Sequence, residues 1–242
     1  MKKILLMGNP NVGKSVIFSR LTGVRVIASN YPGTTVGYTR GTMKVENERA
    51  EVIDVPGTYS LDPTCKAEEV AVEMCGDGDL VINVVDATNL ERNLNLTLQL
   101  LKKDIPMILA LNLWDEAKHI GIAIDEKKLE NLLGVPVVPT VAVTGEGILE
   151  LVNRLSEAKT GQLTYEDQER WHEIGKIVEQ VQTVTHRHHT ALERLGDASI
   201  HPLTGIPIAF VALAITFGII RFVGEGLIGY IFEPFFAHIW AP

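Results

Sequence analysis

The stretch Gly8-Asn9-Pro10-Asn11-Val12-Gly13-Lys14-Ser15 constrains the fold more than any other feature of this chain. It fits the pattern G-x-x-x-x-G-K-[ST], follows the apolar run Ile4-Leu5-Leu6-Met7, and precedes a segment of helical character, residues 16–21. A strand, this loop and then a helix is the setting in which the pattern means a phosphate-binding loop. Gly8 and Gly13 let the backbone turn tightly and bring its N–H groups up to a polyphosphate. Lys14 supplies a point charge at the β- and γ-phosphates, and the Ser15 hydroxyl is a ligand for Mg2+. The helix that follows aims its positive end at the same anion.

Strand-like runs at 3–7, 51–55, 80–86, 107–112 and 135–139 alternate with helical patterns at 90–103, 125–133 and 147–155. The later four runs are short and rich in Val, Ile and Leu, as strands covered on both faces are. The expected fold class is therefore α/β, a doubly wound and mostly parallel sheet. Residues 39–46 and 49–54 read as a hairpin turning at 46–48, which adds one antiparallel edge strand. Asp125 is placed to cap the helix that follows it. Beyond a break at Thr160-Gly161, residues 165–195 are polar and helix-favouring, with Trp171, Ile174, Val178 and Val181 spaced for one buried face. The expected division is a nucleotide domain over 1–160, a helical connector over 161–200 and a membrane segment over 201–242.

That last division rests on composition. From Leu203 onward only Arg221, Glu225 and Glu233 are charged, and residues 206–220 carry no charge at all. About 20 apolar residues cross a bilayer, so one transmembrane helix is expected here. Basic residues precede it (Arg187 and Arg194, with four histidines), and no Lys or Arg follows Arg221, which places residues 1–200 in the cytoplasm. A net charge of −8 argues against nucleic acid as a partner. Cys65 and Cys75, in no C-x-x-C pattern, read as free thiols of a reducing compartment.

Further short motifs follow in the order of a guanine-nucleotide switch protein. Asp54-Val55-Pro56-Gly57 ends a strand as D-x-x-G, with Asp54 holding Mg2+ through water and the Gly57 N–H sensing the γ-phosphate. Asn112-Leu113-Trp114-Asp115 follows another strand, and the Asp115 carboxylate would accept from guanine N1–H and the 2-amino group, which adenine does not offer. Most switch GTPases carry Lys where Leu113 stands, so weaker nucleotide binding and faster release are expected. In Thr140-Val141-Ala142-Val143 the Ala142 N–H is expected at guanine O6, with Val141 where a Ser is common. Between these lies the segment 30–36, in which Thr35 is a Mg2+ ligand ordered by the γ-phosphate and Thr34 its rival.

Together these segments resemble the FeoB family of bacterial and archaeal ferrous-iron transporters. The resemblance is carried by Gly8 to Ser15, by Asn30 to Val36, by Asp54-Val55-Pro56-Gly57-Thr58-Tyr59-Ser60-Leu61 and by Asn112 to Asp115. It is carried also by the junction His201-Pro202-Leu203-Thr204-Gly205-Ile206-Pro207. The resemblance implies a cytosolic GTPase joined to a multi-pass Fe2+ permease of the inner membrane, with a small cytosolic accessory protein as partner and oligomers possible. It implies that Asn11 helps to hold a K+ ion beside the phosphates of GTP or GDP. One span cannot form an ion pathway, so the sequence reads as a piece of a longer protein, ending in an amphipathic stretch, 227–240. Hydrolysis would proceed by in-line attack of water, with Lys14, Mg2+ and K+ neutralising charge. No Gln follows Gly57, so turnover is expected to be slow, with the backbone near Thr35 named as the orienter of the attacking water. The competing expectation is a soluble Era-like GTPase of ribosome assembly or RNA modification, its apolar tail a buried helix.

Overall fold

The computed structural model describes residues 1–23, 26–32, 34–45, 48–161, 165–185, 196, 198–232 and 235. It forms two compact units, Met1–His186 and Arg187–Pro242. The first contains β1 (Lys2–Gly8), α1 (Lys14–Thr22), β2 (Val26–Asn30), β3 (Gly37–Val45), β4 (Glu48–Asp54), α2 (Lys66–Cys75), β5 (Leu80–Asp86) and α3 (Leu90–Leu101). It continues with β6 (Met107–Asn112), α4 (Trp114–His119), β7 (Ile122–Ile124), α5 (Glu126–Leu133), β8 (Val137–Pro139), α6 (Ile148–Asn153), α7 (Arg170–Val181) and β9 (Gln182–Val184).

Seven strands form one sheet in the order β2-β3-β4-β1-β5-β6-β8. From β4 to β8 every pairing is parallel, while β2 and β3 add two antiparallel strands at one edge, one more than the hairpin reading supplied. Successive residues of a strand face opposite sides of the sheet, so a strand buried on both sides must be apolar throughout. Ile4 and Leu6 of β1 join Ile82, Val84, Ile108 and Ala110 against Ile17 and Phe18 of α1 and Ile148 and Leu151 of α6. Leu5 and Met7 join Val81, Val85, Leu109 and Leu111 on the other face, against α2, α3, α5 and α7. One polar pair is buried within this second layer: Asn83 donates to Thr97 Oγ1 at 2.7 Å, joining β5 to α3.

The connector expected over 161–200 is divided by the structure, because α7 packs within the first unit. Ile174, Ile177 and Val181 are its buried face, and Trp171, expected there, is 55% exposed. The helix turns Trp171 outward because the stripe runs 174, 177, 181 instead of starting a turn earlier. A small antiparallel sheet, β7 with β9, then ties the end of α7 back to the chain near Gly121. The C-cap of that region is tight: Gly121 has φ +84°, and a Cβ there would lie 2.5 Å from the Thr185 carbonyl oxygen. Asp125 does cap α5, accepting from the Lys128 N–H at 3.0 Å.

The second unit contains α8 (Pro202–Leu227), 26 residues of mean hydropathy 2.3 with none of its apolar window buried. At a 1.5 Å rise it is about 39 Å long, enough to cross a bilayer. Arg221 pairs with Glu225 one turn on, at 2.7 Å. The four histidines expected before the helix include His201, which caps it by accepting from the Leu203 N–H; the other three, with Arg187 and Arg194, lie outside the described residues, as does half of the stretch 227–240.

Leu94 of α3 is fully buried between the sheet and its neighbours. Leu94→Ala is expected to cost about 2–5 kcal/mol of stability, read as a lower urea midpoint with an unchanged slope.

Candidate nucleotide site

The loop between β1 and α1 sits at the carboxyl ends of the parallel strands, where a doubly wound sheet leaves a crevice. Its glycines are required by contact as much as by conformation. A Cβ at Gly8 would lie 2.4 Å from the Val84 carbonyl oxygen, and one at Gly13, where φ is +89°, would lie 2.4 Å from Asn112 Nδ2. Asn11 also adopts a positive φ, 65°, which Asn tolerates better than most residues, and it is exposed. Val12 is buried, and Pro10 lies against the position a Gly57 side chain would take, 3.0 Å from its Cβ. Asn9 is 3% exposed, and neither polar atom of its amide has a partner. A buried unpaired amide costs about 1–3 kcal/mol.

Ser15 donates its hydroxyl to Asp54 Oδ2 at 2.8 Å, which brings the end of β4 to the start of α1. The second carboxylate oxygen of Asp54 is buried without a partner. Burial pushes the Asp54 carboxyl above the usual carboxylate range, against the pull of Lys14 and the Ser15 hydroxyl. Burial likewise lowers the Lys14 ammonium, against the attraction of Asp54. An anion-sized cradle, an ammonium short of solvent and a carboxylate with a spare oxygen beside a hydroxyl fit a polyphosphate with a hard divalent cation.

The loop after Asp54 is fixed from several sides. The Thr58 N–H donates to the Gly8 carbonyl at 3.2 Å, and the Thr58 hydroxyl donates to Ser60 O at 2.6 Å. Asn95 Nδ2 holds the Tyr59 carbonyl at 3.0 Å; Gln99 accepts from the Leu61 N–H at 2.6 Å and donates to Asp62 at 2.8 Å. Glu68 accepts from both the N–H and the hydroxyl of Thr64, and these bonds hold its carboxyl below the usual range. None of Asn95, Gln99 and Glu68 stood out in the sequence, since a polar residue in an amphipathic helix carries no local sign of what it reaches.

The two candidate threonines differ. Thr34 donates to the Tyr31 carbonyl at 3.0 Å and accepts from the Val36 N–H at 3.2 Å, so its hydroxyl is used inside the turn. Thr35 is exposed and takes part in none of these bonds.

At the other end of the crevice, Asn112 is 1% exposed and carries three hydrogen bonds. Its Nδ2 donates to the Val12 carbonyl at 2.9 Å; its Oδ1 accepts from Thr140 Oγ1 at 3.3 Å and from the Ala142 N–H at 3.0 Å. The Ala142 amide, expected at guanine O6, is here spent on Asn112. Val141 uses its N–H on Glu146 O and its carbonyl on Gly145, so its backbone closes the turn. Leu113 has φ +59°, a conformation that costs a branched residue about 1–2 kcal/mol. It starts α4, whose first turn presents Asp115 exposed beside this loop.

The family model FeoB_N, described as Ferrous iron transport protein B, matches residues 2–155. A Porphyromonas gingivalis protein described as an Fe(2+) transport protein A/Fe(2+) transporter FeoB fusion is 43% identical over 162 residues, 66% of this chain and 19% of that one. The chain spans about a fifth of the length of the curated relatives it matches. Among solved structures, the cytosolic domain of L. pneumophila FeoB superposes with a TM-score of 0.70 at 31% identity, over 75% of this chain and 100% of that one. A GDP-bound mutant of the S. thermophilus FeoB G-domain gives a TM-score of 0.64 at 39% identity, over 74% of this chain and 71% of that one.

Asn112→Ala leaves the Ala142 N–H and the Val12 carbonyl without their partner. The expected loss is about 2–4 kcal/mol of stability in the absence of any ligand, measured by urea titration.

Proposed function

The chain belongs to the FeoB_N family, and on that premise we propose that residues 2–155 bind GTP and GDP with Mg2+ and hydrolyse GTP. We place this domain as the cytoplasmic switch of a longer inner-membrane protein that takes up Fe2+, with α8 as its first crossing. The observation that carries the reading is the Asn112 knot, which joins the phosphate loop to the loop beside Asp115 and so makes one site for phosphate and base.

In this reading the backbone from Gly8 to Ser15 cradles the phosphates and Lys14 neutralises their charge. Ser15, Thr35 and Asp54 would hold Mg2+, which when bound adds neutralising charge at the phosphate oxygens. Gly57 reports on the γ-phosphate. The spare buried oxygen of Asp54 and the free hydroxyl of Thr35 support these roles. Asp115 reads guanine, and Asn112 holds the reading frame. Asn11 is assigned a K+ ion beside the phosphates. Thr58 cannot orient the attacking water through its hydroxyl, because that group is buried and spent on Ser60. With no Gln after Gly57, water is left to the backbone near Thr35, and intrinsic turnover is slow. The accessory partner is a small cytosolic protein of the kind fused to the Porphyromonas relative. The soluble RNA-binding alternative is not favoured: the net charge is −8, and α8 is a 26-residue helix of mean hydropathy 2.3.

Lys14→Ala should lower GTP hydrolysis by at least about 100-fold in a phosphate-release assay. Hydrolysis in KCl should exceed that in NaCl several-fold; equal rates would remove the role given to Asn11. In iron-starved cells carrying the full-length gene, Asp115→Asn should weaken GTP binding by about 10- to 100-fold and lower Fe2+ uptake with it. Unchanged uptake with binding lost would separate the GTPase from transport.

A further inference from the structure

Arg20, in the last turn of α1, reaches a loop 122 residues away in sequence. Its Nε donates to the Ala142 carbonyl at 3.1 Å, and its Nη2 donates to the Val143 carbonyl. A guanidinium is a planar, permanently charged fork, so it can hold two successive carbonyls in one orientation. The chain has no cis peptide among the described residues, and in a trans peptide the N–H points opposite to the carbonyl of the preceding residue. With the Ala142 carbonyl turned to Arg20, the Val143 N–H is turned away from it. The two amides that precede this plane have other fates: Ala142 donates to Asn112, and Val141 closes the turn to Glu146. Val143 itself is 71% exposed, at the lip of the loop. The bond to a cationic donor also polarises the peptide and strengthens its N–H as a donor.

We propose that Arg20 is a positioning residue for purine recognition: it fixes the Ala142–Val143 peptide so that the Val143 N–H meets the C6 carbonyl oxygen of guanine. The assignment rests on the guanine-nucleotide reading given above. It gives α1 two jobs, since the helix that opens at the phosphate loop closes on the base loop. The fork accounts for Arg at a position where a surface helix would accept many residues, and Lys, a point charge, cannot hold both carbonyls.

The test uses the whole 242-residue chain in detergent micelles, titrated calorimetrically with GDP and with 6-thio-GDP. The thio analogue keeps N1–H and the 2-amino group, and replaces O6 by a poor acceptor. Wild type should prefer GDP by about tenfold, the value of one good hydrogen bond. Arg20→Ala should lose about tenfold in GDP affinity, less than threefold in 6-thio-GDP affinity, and hence most of the preference. Arg20→Lys should recover less than half of it on a logarithmic scale. Arg20 is exposed, so neither substitution opens a cavity. Equal weakening of both nucleotides would mean a structural tether and overturn the assignment, as would an unchanged preference in Arg20→Ala or full recovery in Arg20→Lys. A wild-type chain that binds no GDP would overturn the guanine reading itself, a result distinct from any of these.

Discussion

The side-chain amide of Asn112 is the constraint on which the site depends. It ends β6, and its Nδ2 and Oδ1 reach two loops far apart in sequence, at Val12 and at Thr140 with Ala142. A carboxylate in its place would set negative charge against the Val12 carbonyl, and an alkyl group would orphan both sides. The same amide explains Gly13, because Nδ2 occupies the volume a Cβ would need. Two motifs that look independent in the sequence are thus one packing requirement. Each polar group left unpaired in such a buried knot costs about 1–3 kcal/mol, so the knot tolerates few alternatives.

The loop from Asp54 to Asp62 joins that rigid base to the rest of the unit. It leans on the phosphate loop through Gly57 and Thr58 and on α3 through Asn95 and Gln99. It also meets α7, where Arg170 lies 3.8 Å from Asp62. Magnitudes separate these links. Asp62 is 79% exposed in its side chain, so the ion pair is worth under about 1 kcal/mol. The partly buried bonds to Gln99 contribute about 1 kcal/mol each and hold the loop more firmly. The loop is therefore held more firmly to α3 than to α7.

Sequence periodicity and loop chemistry carried the parallel core, the phosphate loop, the D-x-x-G and N-x-x-D segments and the apolar helix, because each of those is locally determined. What was not legible is non-local. The strand β7 is three residues long and lacks a partner in its own neighbourhood; it finds one at β9, some sixty residues on. Helix α2 carries Glu68 inward, a residue type that periodicity assigns to solvent, and the cost is met by Thr64. The spacing of Trp171 with Ile174, Val178 and Val181 predicts it inward, and the stripe of Ile174, Ile177 and Val181 leaves it outside. Arg20 reads as an ordinary surface arginine until the loop it holds is seen.

The two ends of the site are built on different terms. At the phosphate end, glycines, an inward ammonium and a buried carboxylate leave polar groups unpaired within the chain, so the occupant completes them. At the base end, Leu113 holds a strained backbone and offers no long cation to lie on a purine, and Asp115 is exposed. The loop there is held by Asn112 on one side and Arg20 on the other. In the proposed reading affinity would come mainly from the phosphates, and the base would decide which nucleotide is kept. That division would suit a switch, since the base contact would be present with either nucleotide and only the phosphate end would change when the γ-phosphate leaves.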